Sequence, residues 1–528
     1  MTESLEPFAI GAGSALPPGG AAAVGGKAFN LARMAVAGLP VPPAFVLPTA
    51  WCRRRGTADD AALTAALDSG IGGLEAATGL GFGARRRPLL VSVRSGAAVS
   101  MPGMLETVLD VGLNADSVEG LILLTGNPRL AWDSYRRFIQ GYAEVVLELP
   151  PGPFDAIIAR EIAEARVDTA AELDHRGLRR ATEAMLERAE LLSGARFPQD
   201  PRVQLQTTAR AVFRSWDAPK AAAYRRLNGI ADDAGTAVTV QTMVYGNAGG
   251  ASGAGVGFTR DPATGARDLY VDFVFNGQGE DVVAGRQILP DAQRLQQRLP
   301  RLLAELEAIC RTLEQLFGDV QDFEFTVQAG SLWLLQTRQA KRTPLAALRI
   351  AVDLVREGLA TPEEALARLA TLDLGAVVQT RLADTEFVPL AHAVVAGNGV
   401  ARGAIALDTE AARRLAPAGP VILVRPETAT ADIDGFALAV GILTAAGGRT
   451  AHAAVVARQL GKVCLVACPD LSIDLARRAC RIGGQVLSEG DMLSLDGNNG
   501  AIYAGSLSVI TERPERELAI VESWRAKR

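Results

Sequence analysis

A chain of 528 residues, 48% hydrophobic and 21% charged, has the composition of a globular protein of about three domains at roughly 100–200 residues each, which excludes a disordered or fibrous chain. With a net charge of −5 and no prominent basic tract, nucleic acid is excluded as the main partner. No run approaches the ~18–20 apolar residues of a membrane span, and the first twenty residues show no secretory signal, so no membrane partner and a cytoplasmic location are expected.

Residues 25–50 read as a Gly-rich turn, a short helix ending at Gly38 and a Pro-rich extended segment. PLLVSVRSGA (88–97) is a strand, and SMPGMLETVLDVGL (100–113) opens with a small-residue loop. Residues 115–225 have helical spacing and few glycines. From Thr236 the pattern alternates and is glycine-rich, which predicts sheet and loops. A helix is expected over 288–317. VQDFEFTVQAGSLWLLQTRQ (320–339) reads as a hairpin turning at Ala329-Gly330. Residues 344–371 are amphipathic and helical, 386–508 form an α/β unit, and 510–528 are charged and helical.

Cys52, Cys310, Cys464, Cys468 and Cys480 are scattered without a zinc spacing and read as buried free thiols. Five of the 54 basic residues are lysine and only three histidines occur, His175, His392 and His452.

Four constellations carry chemistry. In the hairpin, strand periodicity puts Asp322 and Glu324 on one face, and Gln336 and Arg338 share a face of the return strand. Carboxylates, an amide and a guanidinium suit Mg²⁺ and a triphosphate. They equally suit a solvated face with cross-strand ion pairs. Lys27 follows Gly25-Gly26 and precedes a helix, a reasonable phosphate contact without being a Walker A motif. Arg94 ends an apolar strand and either reaches a ligand or snorkels to solvent. YGNAGGASGAGVGFTRDPATG (245–265) has the small residues that let backbone amides approach phosphate, or that make a bulged sheet corner. Finally, GILTAAGGRTAHAAVVARQLGKVCLVAC (441–468) reads strand, Gly-Gly turn, helix, strand. His452 falls in the first helical turn, where free N–H groups favour phosphate and imidazole is a good nucleophile toward phosphorus. A structural histidine is the alternative.

These blocks, with GGKAFNLARMAVAGLPVPPAF, RLAWDSYRRFIQGYAEVVL, NGQGEDVVAG and SLDGNNGAIYAG, resemble the pyruvate phosphate dikinase family and, more distantly, phosphoenolpyruvate synthase. The matches run in order from about residue 20 to 505. The resemblance implies an α/β multidomain chain: an ATP-grasp nucleotide-binding domain over 1–342 with a helical insertion at about 115–225, a helical linker over 343–385, a swivelling α/β phosphohistidine domain over 386–508 and a helical tail over 509–528. It implies ATP and phosphate contacts at Lys27, Arg94, Asp322, Glu324, Gln336 and Arg338, with Mg²⁺ at Glu324 and Gln336. Glu280, and one of Arg136 and Arg137, match groups that handle the γ-phosphate and inorganic phosphate. Ser100–Gly103 match a lid loop. His452 matches the phosphohistidine, and Thr450 the threonine that a regulatory kinase modifies in some members.

The family pattern near the histidine is closer to GGMTSHAA; here GGRTAHAA adds Arg449 and loses a hydroxyl at Ala451. The family's C-terminal (β/α)₈ barrel, which takes roughly 250 residues, has no counterpart before Arg528. The expectation is therefore an ATP half-reaction, giving AMP and pyrophosphate, with the acceptor site on a separate barrel protein. Phosphoenolpyruvate synthase-like chemistry on another small molecule, with water taking the γ-phosphate, and a signalling phosphohistidine protein are the alternatives.

Overall fold

The computed structural model describes residues 4–54, 60–99, 101, 104–279, 295, 297–383, 386–427, 432–448 and 452–526. The chain divides into two compact units. One holds the chain up to Gly250 together with Val327–Thr337; the other holds Ala251–Thr326 and the chain from Arg338 onward.

Among the described residues, the first unit is built on a five-stranded sheet in the order Phe8–Ile10, Ala44–Leu47, Ala237–Thr242, Val91–Gly96, Thr107–Val111. Every neighbouring pair is antiparallel. The helix Asp60–Thr78 buries Leu63, Leu67, Ile71 and Leu74, a stripe at helical spacing. Gly70 lets it lie flat on Phe45, since a Cβ there would sit 2.6 Å from the ring. The helix Pro128–Val145 starts with Asn127 accepting from the Leu130 amide and proline in its first turn. It buries Tyr135, Phe138, Ile139 and Tyr142 in the same core as Val91, Val93, Val238 and Val240. The helical stretch of 115–228 thus forms a layer sharing one core with the sheet.

In the second unit, Gly253–Phe258 and Tyr270–Phe275 pair antiparallel. Gln321–Thr326 extends this sheet on the Gly253–Phe258 side. The alternating glycines of 253–257 have a steric cause. A Cβ at Gly253, Gly255 or Gly257 would fall 2.1, 2.4 or 2.5 Å from the rings of Phe273, Phe325 and Phe323. These glycines seat phenylalanines in a regular ladder, a packing role that neither the phosphate-approach nor the bulged-corner reading of this stretch describes.

Two buried ion networks fasten the following helices to the sheet. Arg260 binds Glu314 through Nε and Nη2 at 2.9 and 2.8 Å, and Glu357 at 2.8 Å. Arg342 grips Asp319 with both Nη groups at 2.7 and 2.8 Å. Burial pushes the Asp319 carboxyl up, but Arg342, with Gln339 and Arg368, outweighs burial and holds it below the usual range. Leu348 and Val352 of the helix Pro344–Arg356, Leu366 and Leu369 of Pro362–Leu369, and Leu518 and Val521 of Glu515–Arg525 share one small core.

From this cluster the chain passes through the strand Gln379–Leu382, which pairs antiparallel with Val509–Glu512. Between them in sequence, among the described residues, lies an eight-stranded layer. Val400–Ala406, Val421–Arg425, Gly441–Thr444 and Val463–Val466 run parallel in sequence. Antiparallel strands flank them, and apolar cores cover both faces. All five cysteines are buried thiols outside any disulfide. Among the described residues, no helix is long and apolar enough to cross a membrane.

Candidate phosphoryl-transfer site

In the first unit, the Gly25-Gly26-Lys27 turn is set by close backbone approach. Gly25 has φ 79° and ψ 153°, a region that glycine alone occupies readily. A Cβ there would lie 2.1 Å from the Gly96 carbonyl oxygen. The Gly26 amide donates to the Ala97 carbonyl at 2.9 Å. Lys27 therefore stands in the first turn of the helix Gly26–Val36, beside the end of the strand that carries Arg94. One turn further, Asn30 Nδ2 donates to the Thr337 carbonyl at 3.0 Å, fastening this helix to the hairpin residue next to Gln336. The structure thus gathers the Lys27 helix, the Arg94 strand and the Gln336 segment. Asn30 was not anticipated, although it lies in the GGKAFN block one helical turn after Lys27.

Arg136 and Arg137 flank one buried carboxylate. Asp133 meets Arg136 Nη2 at 2.6 Å and Arg137 Nε at 3.1 Å. Burial raises the Asp133 pKa, but Arg136, Arg137 and Arg129 outweigh burial and hold it below the usual value. Arg136 is turned into the core and Arg137 is partly exposed, so Arg137 is the more accessible to an anion.

The hairpin stands where alternation puts it, with strands Gln321–Gln328 and Ser331–Gln339. Ala329 and Gly330 have φ 49° and 83°, the left-handed pair that suits a two-residue hairpin turn. At its base, in the second unit, Arg338 Nε donates to Asp322 Oδ2 at 2.8 Å, with Asp322 buried and the Arg338 side chain 45% exposed. Burial raises the Asp322 pKa and the Glu324 charge adds to this, against the pull of Arg338 and Arg458. Glu324 is half-buried and Gln336 buried.

Asp322 and Glu324 lie on one strand, and the Arg338 guanidinium already sets a cation against Asp322. Among the described residues, no group of three or more His, Cys, Asp or Glu side chains could hold a metal. Magnesium does not require such a cage, because one or two protein oxygens plus nucleotide phosphates and water complete its shell. Glu324, in the second unit, and Gln336, in the first, each carry a hard oxygen donor.

His452 opens the helix His452–Gln459, between the strands Gly441–Thr444 and Val463–Val466. Ala454 and Ala457 are fully buried against Ala396, Cys464 and Val466. Ser100, Gly103, Glu280 and Thr450 lie outside the described residues. Arg458, in the last turn of the His452 helix, was not singled out from the sequence, yet it is wholly buried.

The family model described as pyruvate phosphate dikinase, AMP/ATP-binding domain, matches residues 59–304 and 287–358. That described as PEP-utilising enzyme, mobile domain, matches 417–500. The chain is 43% identical over 497 residues to pyruvate, phosphate dikinase of Clostridium symbiosum, covering 92% of this chain and 56% of that protein. It is 41% identical over 525 residues to that of Rhizobium meliloti, covering 95% and 58%. With the chloroplastic enzyme of Flaveria trinervia it is 40% identical over 509 residues, covering 95% and 53%. The chain thus spans a little over half the length of these relatives. With the nucleotide-binding and mobile-domain models both matched, and in that order, the chain belongs to the pyruvate phosphate dikinase family.

Proposed function

We propose that this chain carries out the ATP half-reaction of a phosphotransferase, with His452 as the nucleophile. An imidazole nitrogen of His452 bonds to the β-phosphorus of ATP and the bond to the α-phosphate oxygen breaks, releasing AMP. The γ-phosphoryl group passes to inorganic phosphate to give pyrophosphate, and the β-phosphoryl group stays on His452. Lys27 supplies a point charge and Arg94 a guanidinium to the triphosphate. Arg338, oriented through its Nε edge by Asp322, offers the rest of its fork to developing charge. Magnesium held by Glu324 and Gln336 would neutralise the phosphate oxygens. Arg137 and Glu280 would handle the γ-phosphate and inorganic phosphate.

The observation that supports this reading is the docking of the Gly25-Gly26 turn on Gly96–Ala98, which sets the Lys27 helix beside the end of the Arg94 strand, with the Asn30 bond to Thr337 joining that helix to the segment after Gln336. The acceptor half-reaction belongs, in this proposal, to a phosphoenolpyruvate/pyruvate barrel outside these 528 residues.

Labelling tests it. Incubation with Mg²⁺, phosphate and β-³²P-ATP should give an acid-labile, base-stable label on the protein. His452→Asn should abolish the label while ATP binding persists. A label that survives this change moves the nucleophile elsewhere, with His392 the next candidate. Release of orthophosphate instead of pyrophosphate would make water the γ-phosphate acceptor.

A further inference from the structure

Two arginines are among the largest fully buried side chains, Arg260 and Arg458. Glu314 and Glu357 account for Arg260. Arg458 has a different setting. It stands six residues after His452 on the same helix, about 9 Å along the axis. Its Nη1 donates to the Ala396 carbonyl at 3.1 Å, within the eight-stranded layer. Its guanidinium carbon also lies 5.4 Å from the centre of the Phe258 ring, which belongs to the sheet carrying Asp322.

Two further contacts join the same surfaces. Phe258 packs edge-to-face on Tyr270, with centroids 5.7 Å apart. The Tyr270 hydroxyl donates to the Val395 carbonyl at 3.3 Å, so the adjacent carbonyls of Val395 and Ala396 receive one donor from each side. Ahead of His452, a side chain at Gly448 would come within 3.9 Å of Asp272 Oδ2 on the strand Tyr270–Phe275.

We propose that Arg458 is a positioning residue for phosphorylation of His452: lodged between the Phe258 ring and the Ala396 carbonyl, it holds the His452 helix on the sheet that carries Asp322 and Glu324. The proposal rests on the reading of His452 as the group that ATP phosphorylates. The chemistry of arginine suits a contact that forms and releases. A planar guanidinium stacks on an aromatic face and keeps its hydrogen bond when buried. Once released, it is well solvated, whereas an apolar side chain of equal size would favour the closed contact. The segment around it matches a model described as a mobile domain. Arg458 also favours the ionised form of Asp322, so the contact reaches the carboxylate that orients Arg338.

The test compares Arg458→Met, Arg458→Lys and Tyr270→Phe with the parent chain in single-turnover labelling by β-³²P-ATP. Amide hydrogen exchange of 253–258 and 394–397 is followed in parallel. Arg458→Met should label about tenfold more slowly at saturating ATP, with the half-saturating ATP concentration unchanged and faster exchange in both strands. Arg458→Lys should recover part of the rate. Tyr270→Phe, which removes one hydroxyl and keeps the ring, should shift rate and exchange in the same direction if Arg458→Met fails to fold. Parental rates and exchange in both Arg458→Met and Tyr270→Phe would overturn the proposal. Should the parent chain itself take no label, the phosphohistidine reading falls, and the exchange comparison still decides whether Arg458 holds the contact.

Discussion

Replacing Gly25 by alanine should disable ATP use without touching a charged group. At φ 79° and ψ 153°, a non-glycine residue is strained by roughly 1–3 kcal/mol. The added methyl would lie 2.1 Å from the Gly96 carbonyl oxygen, where even 3.0 Å is seldom approached. Both partners are backbone, so no flexible side chain can yield. The turn carrying Lys27 must move by about 1 Å relative to the Arg94 strand, a misplacement that can cost about 100-fold in rate. The assay is the labelling rate of His452 over a range of ATP concentrations, with thermal unfolding to report stability. Gly25→Ala should raise the half-saturating ATP concentration, lower the rate about 100-fold and lower the melting temperature. Gly26→Ala is the control. A methyl there comes no closer than 3.1 Å, to the Ala98 carbonyl oxygen, and should have a much smaller effect. Parental kinetics in Gly25→Ala, or equal losses in the two variants, would refute the reasoning.

Glu324→Ala and Gln336→Ala should each slow phosphoenzyme formation by orders of magnitude, measured by quenched-flow labelling, because each removes an oxygen donor where charge develops. Asp133→Asn leaves Arg136 and Arg137 without their shared carboxylate and should cost about 3–5 kcal/mol in denaturant titration at pH 7. The folded-state pKa of Asp133 is depressed below 3.8. Its stabilisation is therefore present above that value and lost as pH falls through the depressed pKa. Stability measured against pH should thus fall less steeply below about pH 4 in Asp133→Asn than in the parent. Gly255→Ala puts a methyl 2.4 Å from the Phe325 ring and should cost about 1–3 kcal/mol as overpacking, with no specific loss of ATP affinity at temperatures where the variant is folded.

Local signals carried much of the architecture. The alternation in VQDFEFTVQ and SLWLLQTRQ, and the turn at Ala329-Gly330, mark the hairpin because strand period and turn chemistry act over a few residues. The helix opening at His452 is equally local. Contacts between distant segments were not legible. The stretch GASGAGVGF, read alone, suits phosphate approach or a bulged sheet corner, and its packing role emerges only when Phe323 and Phe325, far along the chain, are found on its glycines. Arg136 and Arg137 look equivalent in DSYRRF, and only the fold separates the buried one from the partly exposed one. Arg458 resembles any arginine ending a short helix. Its burial depends on Phe258, which no periodicity connects to it.

The ribbon Gln379–Leu382 with Val509–Glu512 bears on how the gene can be cut. Leu382 lies directly opposite Val509, and residues opposite each other in an antiparallel ladder are about 4.5–5.5 Å apart. The eight-stranded layer is therefore a cassette whose two ends meet. Excised as 386–508, it keeps both of its apolar cores. In the remainder, an Asn-Gly turn between Leu382 and Val509 would convert the ribbon into an ordinary hairpin. The helix Glu515–Arg525 would still reach its partners in Pro344–Arg356 and Pro362–Leu369. Each portion can then be expressed, labelled isotopically and recombined in trans, with His452 and Lys27 on separate polypeptides.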